Sequence, residues 1–160
     1  MCGIAGIWGT ATRERLERMG SAIAHRGPDD AGFWIDPQAR VGLVNRRLSI
    51  IDIAGGKQPV FNTDGSVVVV FNGEIYNYIE LRQELQGRGY VFRTQSDTEV
   101  IAHLYDDCGM ELAPRLRGMF AIAIWDDRRR QLVLIRDRAG VKTLYYCQGG
   151  GEFMFASEIK

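Results

Sequence analysis

The side chain with the greatest chemical potential in this sequence is the thiol of Cys2, directly behind the initiator Met1. Methionine aminopeptidase removes Met1 when the next side chain is small, so the mature chain is expected to begin at Cys2. That residue would then carry a thiol and a free α-amine together. A thiol is a strong nucleophile, and an amine with a pKa of about 8 can act as its base. The alternative is that Cys2 is an inert apolar residue of a first strand.

A thiol that attacks an amide also needs hydrogen-bond donors for the oxyanion that forms. The best candidates are the Asn72 side chain and the Gly73 N–H, because the apolar run 67–71 delivers them where a buried strand is expected to end. The alternative is that Asn72 and Gly73 form a hairpin turn, for which this dipeptide is the strongest short-range signal. The residues after Gly73 lead into a helical pattern rather than a second alternating strand, which weakens the turn interpretation.

Two charged residues could hold a substrate that is itself an amino acid. Arg47 adjoins an apolar segment beside a strand, and a guanidinium binds a carboxylate through two parallel hydrogen bonds. Asp97 could balance an ammonium group. Its place in the first turn of a helix also has a purely structural explanation, since a carboxylate there stabilises the helix dipole. Sequence spacing alone brings neither residue to Cys2.

Composition argues against several other classes of protein. Twenty basic and twenty acidic side chains cancel within 160 residues, so no net charge favours nucleic acid or a membrane surface. No apolar run approaches the ~20 residues that cross a bilayer, and no pattern typical of a signal peptide is seen. Three cysteines without C-x-x-C spacing and two histidines without metal-binding spacing predict neither a disulfide framework nor a metal site. We expect a cytoplasmic location, where a catalytic thiol stays reduced.

Periodicity predicts the elements that must position these residues. Apolar β-rich runs predict strands at 2–8, 31–35, 41–46, 67–72, 119–126, 131–136, 143–147 and 152–156. Helical spacing predicts helices at 13–24, 78–86 and 97–108. Candidate helix signals are Thr12 as an N-cap, the capping boxes Asn77-x-x-Glu80 and Ser96-x-x-Glu99, and Gly109 as a C-terminal stop.

The order of these elements predicts the fold class. The turn-like residues 126–130 separate two strands and predict an antiparallel hairpin, and 149–151 predict another turn. Strands and hairpins dominate, with helices in two clusters rather than in regular βαβ alternation. This favours an antiparallel α+β layered fold over a doubly wound parallel sheet.

Several strings of residues, in order along the chain, are shared with one family. They are 1–7, 25–29 with Gly32, 47–52, 71–77, 96–101, 118–121 with Trp125 and Asp126, 136–138 and 155–160. Through them the chain resembles the class II glutamine amidotransferases, and among these the glutaminase domain of the asparagine synthetase branch. The resemblance covers essentially the whole chain. Thr143 is a departure, because the family usually has proline there.

The resemblance implies both a fold and a reaction. The fold would be of the N-terminal nucleophile hydrolase type, a four-layer αββα sandwich of two antiparallel sheets between helical layers. Cys2 would attack the side-chain amide of glutamine with its α-amine as base, while Asn72 and Gly73 hold the oxyanion. Ammonia would leave, and water would hydrolyse the thioester to glutamate.

The resemblance also assigns substrate-binding residues. Arg47 would bind the carboxylate of glutamine, and Asp97 with the Gly73–Glu74 segment would hold its amino group. The pocket would be lined by Leu48, Ser49, Ile50 and Ile51. The segment 25–29 would form a loop near the site with no chemical step.

The resemblance further predicts one glutamine amidotransferase type-2 domain over residues 1–160, incomplete at its C-terminus. Asparagine synthetases continue into an ATP-dependent synthetase domain with an S-G-G-x-D-S loop, and no such string occurs here. We therefore expect no cofactor in this domain, with ATP and magnesium only in the synthetase domain. Glutamine would be the substrate, and ammonia would pass to an acceptor domain in cis or in trans.

The sequence leaves two alternative functions open. The chain could be a glutamine-binding or regulatory module without independent turnover, which a thioester trapped with glutamine would contradict. The same nucleophile could also act on a different amide, although Arg47 and Asp97 suit an α-amino acid. Comparing glutamine with asparagine as substrates would decide this second point.

Overall fold

The computed structural model describes residues 2–36, 38, 40–48, 52 and 55–159. The strands are β1 Gly3–Trp8, β2 Asp30–Asp36, β3 Val41–Arg47, β4 Val60–Phe61, β5 Val67–Ile75, β6 Gly118–Asp126, β7 Gln131–Arg136, β8 Tyr145–Gly149 and β9 Glu152–Ala156. The α-helices are α1 Arg13–Ala22, α2 Tyr78–Gly87, α3 Asp97–Cys108 and α4 Leu112–Arg115. Within these residues, no helix is both long and apolar enough to cross a membrane.

The strands form two antiparallel sheets that pack face to face. Sheet A has the strand order β2-β3-β1-β9-β8, and sheet B has the order β4-β5-β6-β7. The apolar core between them includes Ile4, Leu43, Val70, Trp125 and Phe155. The helices α2, α3 and α4 pack on the outer face of sheet B, and α1 packs on the outer face of sheet A. The predicted four-layer αββα sandwich is therefore confirmed.

The valine run of β5 shows how the sequence selects this layered packing. Successive side chains of a strand point to opposite faces, so Val68 and Val70 face sheet A while Val69 and Phe71 face the helices. A strand buried on both faces needs an almost continuous apolar sequence. By the same alternation, the Asn72 side chain lies on the face of β5 that is directed towards sheet A.

Helix α3 is a buried helix whose ends are well defined. Its first nine residues are all buried. The Ser96 hydroxyl accepts a hydrogen bond from Thr98 N at 3.2 Å and caps the start of the helix. Gly109 has φ of +58° and ends it, as predicted. Asp97 is thereby fixed in the first helical turn.

Each predicted capping box lacks one of its two bonds: the Asn77 box lacks the bond from the N-cap side chain, and the Ser96 box lacks the return bond from Glu99. Asn77 makes no capping bond, because its side chain instead binds the main chain of Arg115 and Arg117. Glu99 does not return to the N–H of Ser96 and instead accepts hydrogen bonds from the main chain of 93–94. In each case a contact outside the local motif replaces the local bond.

Other boundaries differ modestly from the prediction. Strand β8 covers 145–149 rather than 143–147, and its hairpin closes through Gly150 and Gly151, which have φ of +60° and +77°. Strand β4 and helix α4 were not predicted, since two and four residues carry too little periodicity. The hairpin at 126–131 is confirmed.

Candidate active site

Cys2 immediately precedes β1, the central strand of sheet A. Its thiol donates to the Leu48 carbonyl at 3.6 Å, and Leu48 N donates to the sulfur at 3.4 Å. The thiol therefore lies beside the end of β3, where the chain leaves sheet A. The apolar residues that follow Cys2 fix its place by entering the core.

A pocket opens at this end of the sandwich and joins residues from both sheets and from α3. It is lined by Cys2, Arg47, Leu48, Gly56, Gln58, Phe71, Gly73, Glu74, Ser96, Asp97 and Thr98. Six of the ten predicted site residues are among them: Cys2, Arg47, Leu48, Gly73, Glu74 and Asp97. Asn72 lies between two lining residues, and Ser49, Ile50 and Ile51 lie outside the described residues.

The Asn72–Gly73 pair lies inside a strand, so the hairpin-turn alternative is wrong. Strand β5 continues to Ile75 and pairs with β6 along its whole length, and it therefore does not end at Asn72 as expected. Gly73 has φ of +157°, and a Cβ built there would lie 2.0 Å from the Met119 carbonyl oxygen. Only glycine fits, which brings the main chain of β5 close to β6.

The side-chain amide of Asn72 is a buried hydrogen-bond donor. The residue is 1% exposed, and its Nδ2 has no partner among the residues that the structure describes. An unmade buried hydrogen bond costs free energy. A donor kept in this state beside the pocket is available to an incoming oxygen atom.

Asp97 is a buried carboxylate whose ionisation is disfavoured. The residue is 5% exposed, and burial raises the pKa of its carboxyl group above the usual 3.8, with a further upward contribution from nearby Glu74. Its Oδ2 accepts a hydrogen bond from Ile75 N at 3.1 Å, which opposes the shift. A cation bound in the pocket would relieve the cost of this buried charge.

Arg47 provides the positive charge of the pocket. It is the last residue of β3 and is buried, and one of its terminal nitrogens donates to the Asp52 carbonyl at 2.7 Å. Arg47 is the cation among the lining residues, and Glu74 and Asp97 are the anions. A ligand with one carboxylate and one ammonium group matches this arrangement.

Four contacts near Cys2 were not predicted from the sequence. Arg26 Nε donates to the Cys2 carbonyl at 3.0 Å, and its NH1 donates to Glu158 Oε1 at 2.8 Å. The same carboxylate oxygen lies 3.0 Å from His25 Nε2. Ser157 Oγ accepts from Ile4 N at 3.0 Å. No local pattern could reveal these contacts, because most of them join residues more than 100 positions apart.

No group of three or more His, Cys, Asp or Glu side chains in the described part of the chain could hold a metal ion. The pocket itself offers a thiol, a guanidinium, two carboxylates, two hydroxyls and two carboxamides in or next to its wall. These groups can bind an amino acid and supply a nucleophile.

Comparison with known proteins gives consistent matches. The sequence model of the family described as a glutamine amidotransferase domain matches residues 1–160. Asparagine synthetase [glutamine-hydrolyzing] 2 of Bacillus subtilis is 48% identical over all of this chain, which corresponds to 22% of that protein. Asparagine synthetase [glutamine-hydrolyzing] 1 of Arabidopsis thaliana is 40% identical, again over the whole chain and 28% of its own length. The chain thus spans about a quarter of the length of these curated relatives.

The fold also matches a solved structure. The glutamine phosphoribosylpyrophosphate amidotransferase of B. subtilis, in complex with ADP and GMP, superposes with a TM-score of 0.80. The match covers 98% of this chain and 42% of that one, at 24% sequence identity. Identity this low supports the shared fold alone.

Proposed function

Because this chain belongs to the glutamine amidotransferase domain family, we propose that the residues at the Cys2 pocket hydrolyse the side-chain amide of glutamine to glutamate and ammonia. The single observation that carries the proposal is one pocket that contains the Cys2 thiol together with Arg47 and Asp97. A nucleophile, a cation and an anion in one cavity fit the reactive amide, the α-carboxylate and the α-ammonium of glutamine.

Cys2 is the nucleophile in this mechanism. After removal of Met1, the α-amine of Cys2 takes the thiol proton, and the sulfur forms a bond to the amide carbon of glutamine. The C–N bond of the tetrahedral intermediate then breaks, and the departing nitrogen takes a proton from the ammonium and leaves as ammonia. Water attacks the thioester that remains, and glutamate is released with regeneration of the thiol.

Asn72 Nδ2 and the Gly73 N–H hold the negative oxygen of both tetrahedral intermediates. The unpartnered state of the buried Asn72 donor supports this role. Donors that are fixed in place before the reaction stabilise developing charge without reorganisation, and one such donor contributes about 10²–10³ in rate.

Arg47 binds the α-carboxylate of glutamine, and Asp97 with the Gly73–Glu74 segment receives the α-ammonium group. The raised pKa of Asp97 supports this assignment, because a bound ammonium would offset the cost of ionising this buried carboxyl group. Leu48 lines the wall beside Cys2, and the proposal extends this lining role to Ser49, Ile50 and Ile51. Both charges together select an α-amino acid over a simple amide.

The relatives named asparagine synthetase suggest a destination for the ammonia. We propose that it passes to an acceptor domain of the asparagine synthetase type, in cis or in trans. ATP and Mg²⁺ would act in that domain and not in the hydrolysis of glutamine. A cytoplasmic location would keep the Cys2 thiol reduced.

The first test is the intact mass of the purified chain before and after treatment with 6-diazo-5-oxo-L-norleucine, an electrophilic analogue of glutamine. We expect loss of Met1 and a single adduct that maps to Cys2. Iodoacetamide serves as a control, because it should also label the exposed Cys147. A retained Met1, or a processed chain that takes up no analogue, would contradict the mechanism and favour a binding module without turnover.

A further inference from the structure

One edge of strand β5 is completed by side chains rather than by a neighbouring strand. Strand β4 pairs with β5 only at Val60–Val69 and Phe61–Val68. If that register continued, Gln58 would lie opposite Phe71. It is the side-chain Oε1 of Gln58 that accepts the hydrogen bond from Phe71 N, at 2.7 Å. The side chain therefore performs the task of a strand backbone.

The main chain of Gln58 is directed elsewhere. Its carbonyl oxygen lies so close to Gly32 of β2 that a Cβ built on that glycine would be 1.7 Å from it. The backbone of Gln58 thus contacts sheet A while its side chain continues the ladder of sheet B. Because the two roles are divided, the main chain at Gln58 can turn away from β5 while Phe71 N still has a hydrogen-bond acceptor.

Strand alternation places the N–H groups of Phe71, Gly73 and Ile75 on the same edge of β5. Phe71 N binds Gln58, and Ile75 N binds Asp97 Oδ2 at 3.1 Å. The N–H of Gly73 lies between them and faces the pocket, with no hydrogen-bond partner on this edge among the described residues. Two side-chain oxygens therefore flank the main-chain donor that the proposed mechanism assigns to the oxyanion.

The same carboxamide also reaches α3. Gln58 Nε2 donates to Thr98 Oγ1 at 3.4 Å, and Thr98 follows Asp97 in the first turn of the helix. One side chain thereby connects the strand that carries Gly73 to the helix turn that carries Asp97. Both Gln58 and Thr98 line the pocket.

We propose that Gln58 is a positioning residue for the Gly73 oxyanion donor: it ends the β-ladder at Phe71, leaves the next N–H available, and fixes β5 relative to helix α3. This inference rests on the proposed function, since it concerns the oxyanion of that reaction. Gln58 itself forms no bond to the reacting atoms in this view.

The test uses Gln58→Met, which keeps the side-chain length but removes the acceptor and the donor. We expect kcat for glutamine hydrolysis to fall by about ten- to a hundredfold, less than the 10²–10³ of a donor removed outright, with KM changed less than about threefold. Gln86→Met, at an exposed position of α2, is the matched control and should leave both values unchanged.

Two inhibitors separate positioning from ordinary binding. L-Glutamate γ-semialdehyde adds the Cys2 thiol to its carbonyl, so that an S–C bond forms, the C=O π bond breaks, and the carbonyl oxygen takes the thiol proton. That oxygen occupies the place of the oxyanion, whereas L-glutamate forms no such adduct. In Gln58→Met we expect the inhibition constant of the aldehyde to rise in proportion to the loss in kcat, while that of glutamate stays within about threefold.

Unchanged constants for both inhibitors would overturn the proposal, and so would a parallel rise for both, which would make Gln58 a general binding or structural residue. Gln58→Asn provides a second variant that keeps a polar side chain in the pocket but cannot span both partners, and the same criteria apply to it. If the wild-type chain binds the aldehyde no better than glutamate, the proposed function fails together with this inference. If only the inference about Gln58 is wrong, the wild-type chain still binds the aldehyde more tightly than glutamate.

Discussion

At one end of the sandwich, strands are joined by short turns, whereas at the other end they stop beside the pocket and their last backbone groups bind distant side chains. The turn end contains the β6–β7 and β8–β9 hairpins, in which charged pairs such as Asp127–Arg130 are local and exposed. At the pocket end, Phe71 N, Ile75 N and Ile4 N bind side chains that are 13, 22 and 153 residues away in sequence.

The two ends of the sandwich differ in how the backbone N–H and C=O groups at the strand ends find hydrogen-bond partners. A hairpin satisfies its strand ends with its own main chain, so no group remains for a ligand. Side-chain acceptors can be placed selectively. The pocket end uses them to satisfy the N–H groups on either side of Gly73 while it leaves that donor facing the cavity.

The largest effect is expected from Cys2→Ala at the pocket end. The nucleophile is lost, so glutamine turnover should fall by several powers of ten. Release of glutamate and ammonia measures this directly. Within the described part of the chain, the thiol makes its hydrogen bonds with the main chain of Leu48, so the melting temperature should change little. Residual turnover near the wild-type level would mean that another group attacks the amide.

Asn72→Ala should lower kcat by about 10²–10³ with a smaller change in KM, because one oxyanion donor is removed. The buried Nδ2 has no partner among the described residues, so its deletion breaks no hydrogen bond made by that nitrogen. Steady-state kinetics and thermal unfolding test both parts. A change confined to KM would instead make Asn72 a substrate-binding residue.

Asp97→Asn should raise KM for glutamine and lower kcat/KM on the order of 10²-fold, since a buried charge partner of the ammonium is lost. The same change should raise the melting temperature at neutral pH. The pKa of Asp97 is raised by burial, so its contribution to stability is present at low pH and is lost as pH rises through the folded-state pKa. The asparagine side chain of the variant does not ionise, so the variant does not lose this stability as pH rises.

The wild-type protein gives the complementary pH result. Only ionised Asp97 attracts the ammonium, so KM for glutamine should rise as pH falls through the raised pKa of this carboxyl group. The Asn variant should not show this rise. Equal pH dependence of KM in the two proteins would exclude Asp97 as the ammonium partner.

A moderate effect is expected from Glu158→Gln, because Glu158 orients the Arg26 side chain that donates a hydrogen bond to the Cys2 carbonyl. An ion pair becomes a hydrogen bond from the Arg26 guanidinium to a neutral amide oxygen, so kcat should fall by about three- to tenfold. Inactivation by the diazo-ketone analogue should slow in parallel, because both reactions need the thiol in place. An unchanged rate of inactivation would show that this ion pair does not position Cys2.

The smallest effect should follow the analogous change at the turn end, Glu152→Gln. Glu152 also binds an arginine, Arg15, whose hydrogen bond lowers the pKa of the carboxyl group to about 2. Its contribution to stability is present above the unfolded-state pKa and is lost as pH falls through about 2. We expect a slightly lower melting temperature and an unchanged kcat. A loss of activity equal to that of Glu158→Gln would remove the functional contrast between the two ends.

The sequence predicted the turn end better than the pocket end. Gly150 and Gly151 can adopt positive φ, and Asp126 to Arg130 are turn-like residues, so these hairpins follow from local chemistry. At the pocket end, Asn77 and Glu99 match local capping motifs but bind elsewhere. Tertiary contacts replaced the local hydrogen bonds there.

The residue types of the site were predictable, but their supports were not. Cys2, Gly73 and Asp97 are recognisable because their chemistry and their neighbours in sequence mark them. Nothing near Gln58 or Glu158 in the sequence indicates which backbone group each one reaches, since that depends on how the two sheets meet. Family resemblance, rather than spacing, first placed Arg47 and Asp97 beside the thiol.

The contacts of Ser157 and Glu158 mean that the surroundings of Cys2 are completed late in the synthesis of this domain. Ile4 exchanges hydrogen bonds with Ser157, and Arg26 holds the Cys2 carbonyl while Glu158 holds Arg26. On the ribosome, Cys2 emerges several seconds before Ser157 and Glu158 at ordinary translation speeds. A nascent chain therefore carries its thiol well before these contacts can form, and we expect glutamine hydrolysis to require that residues 157–158 have joined the fold.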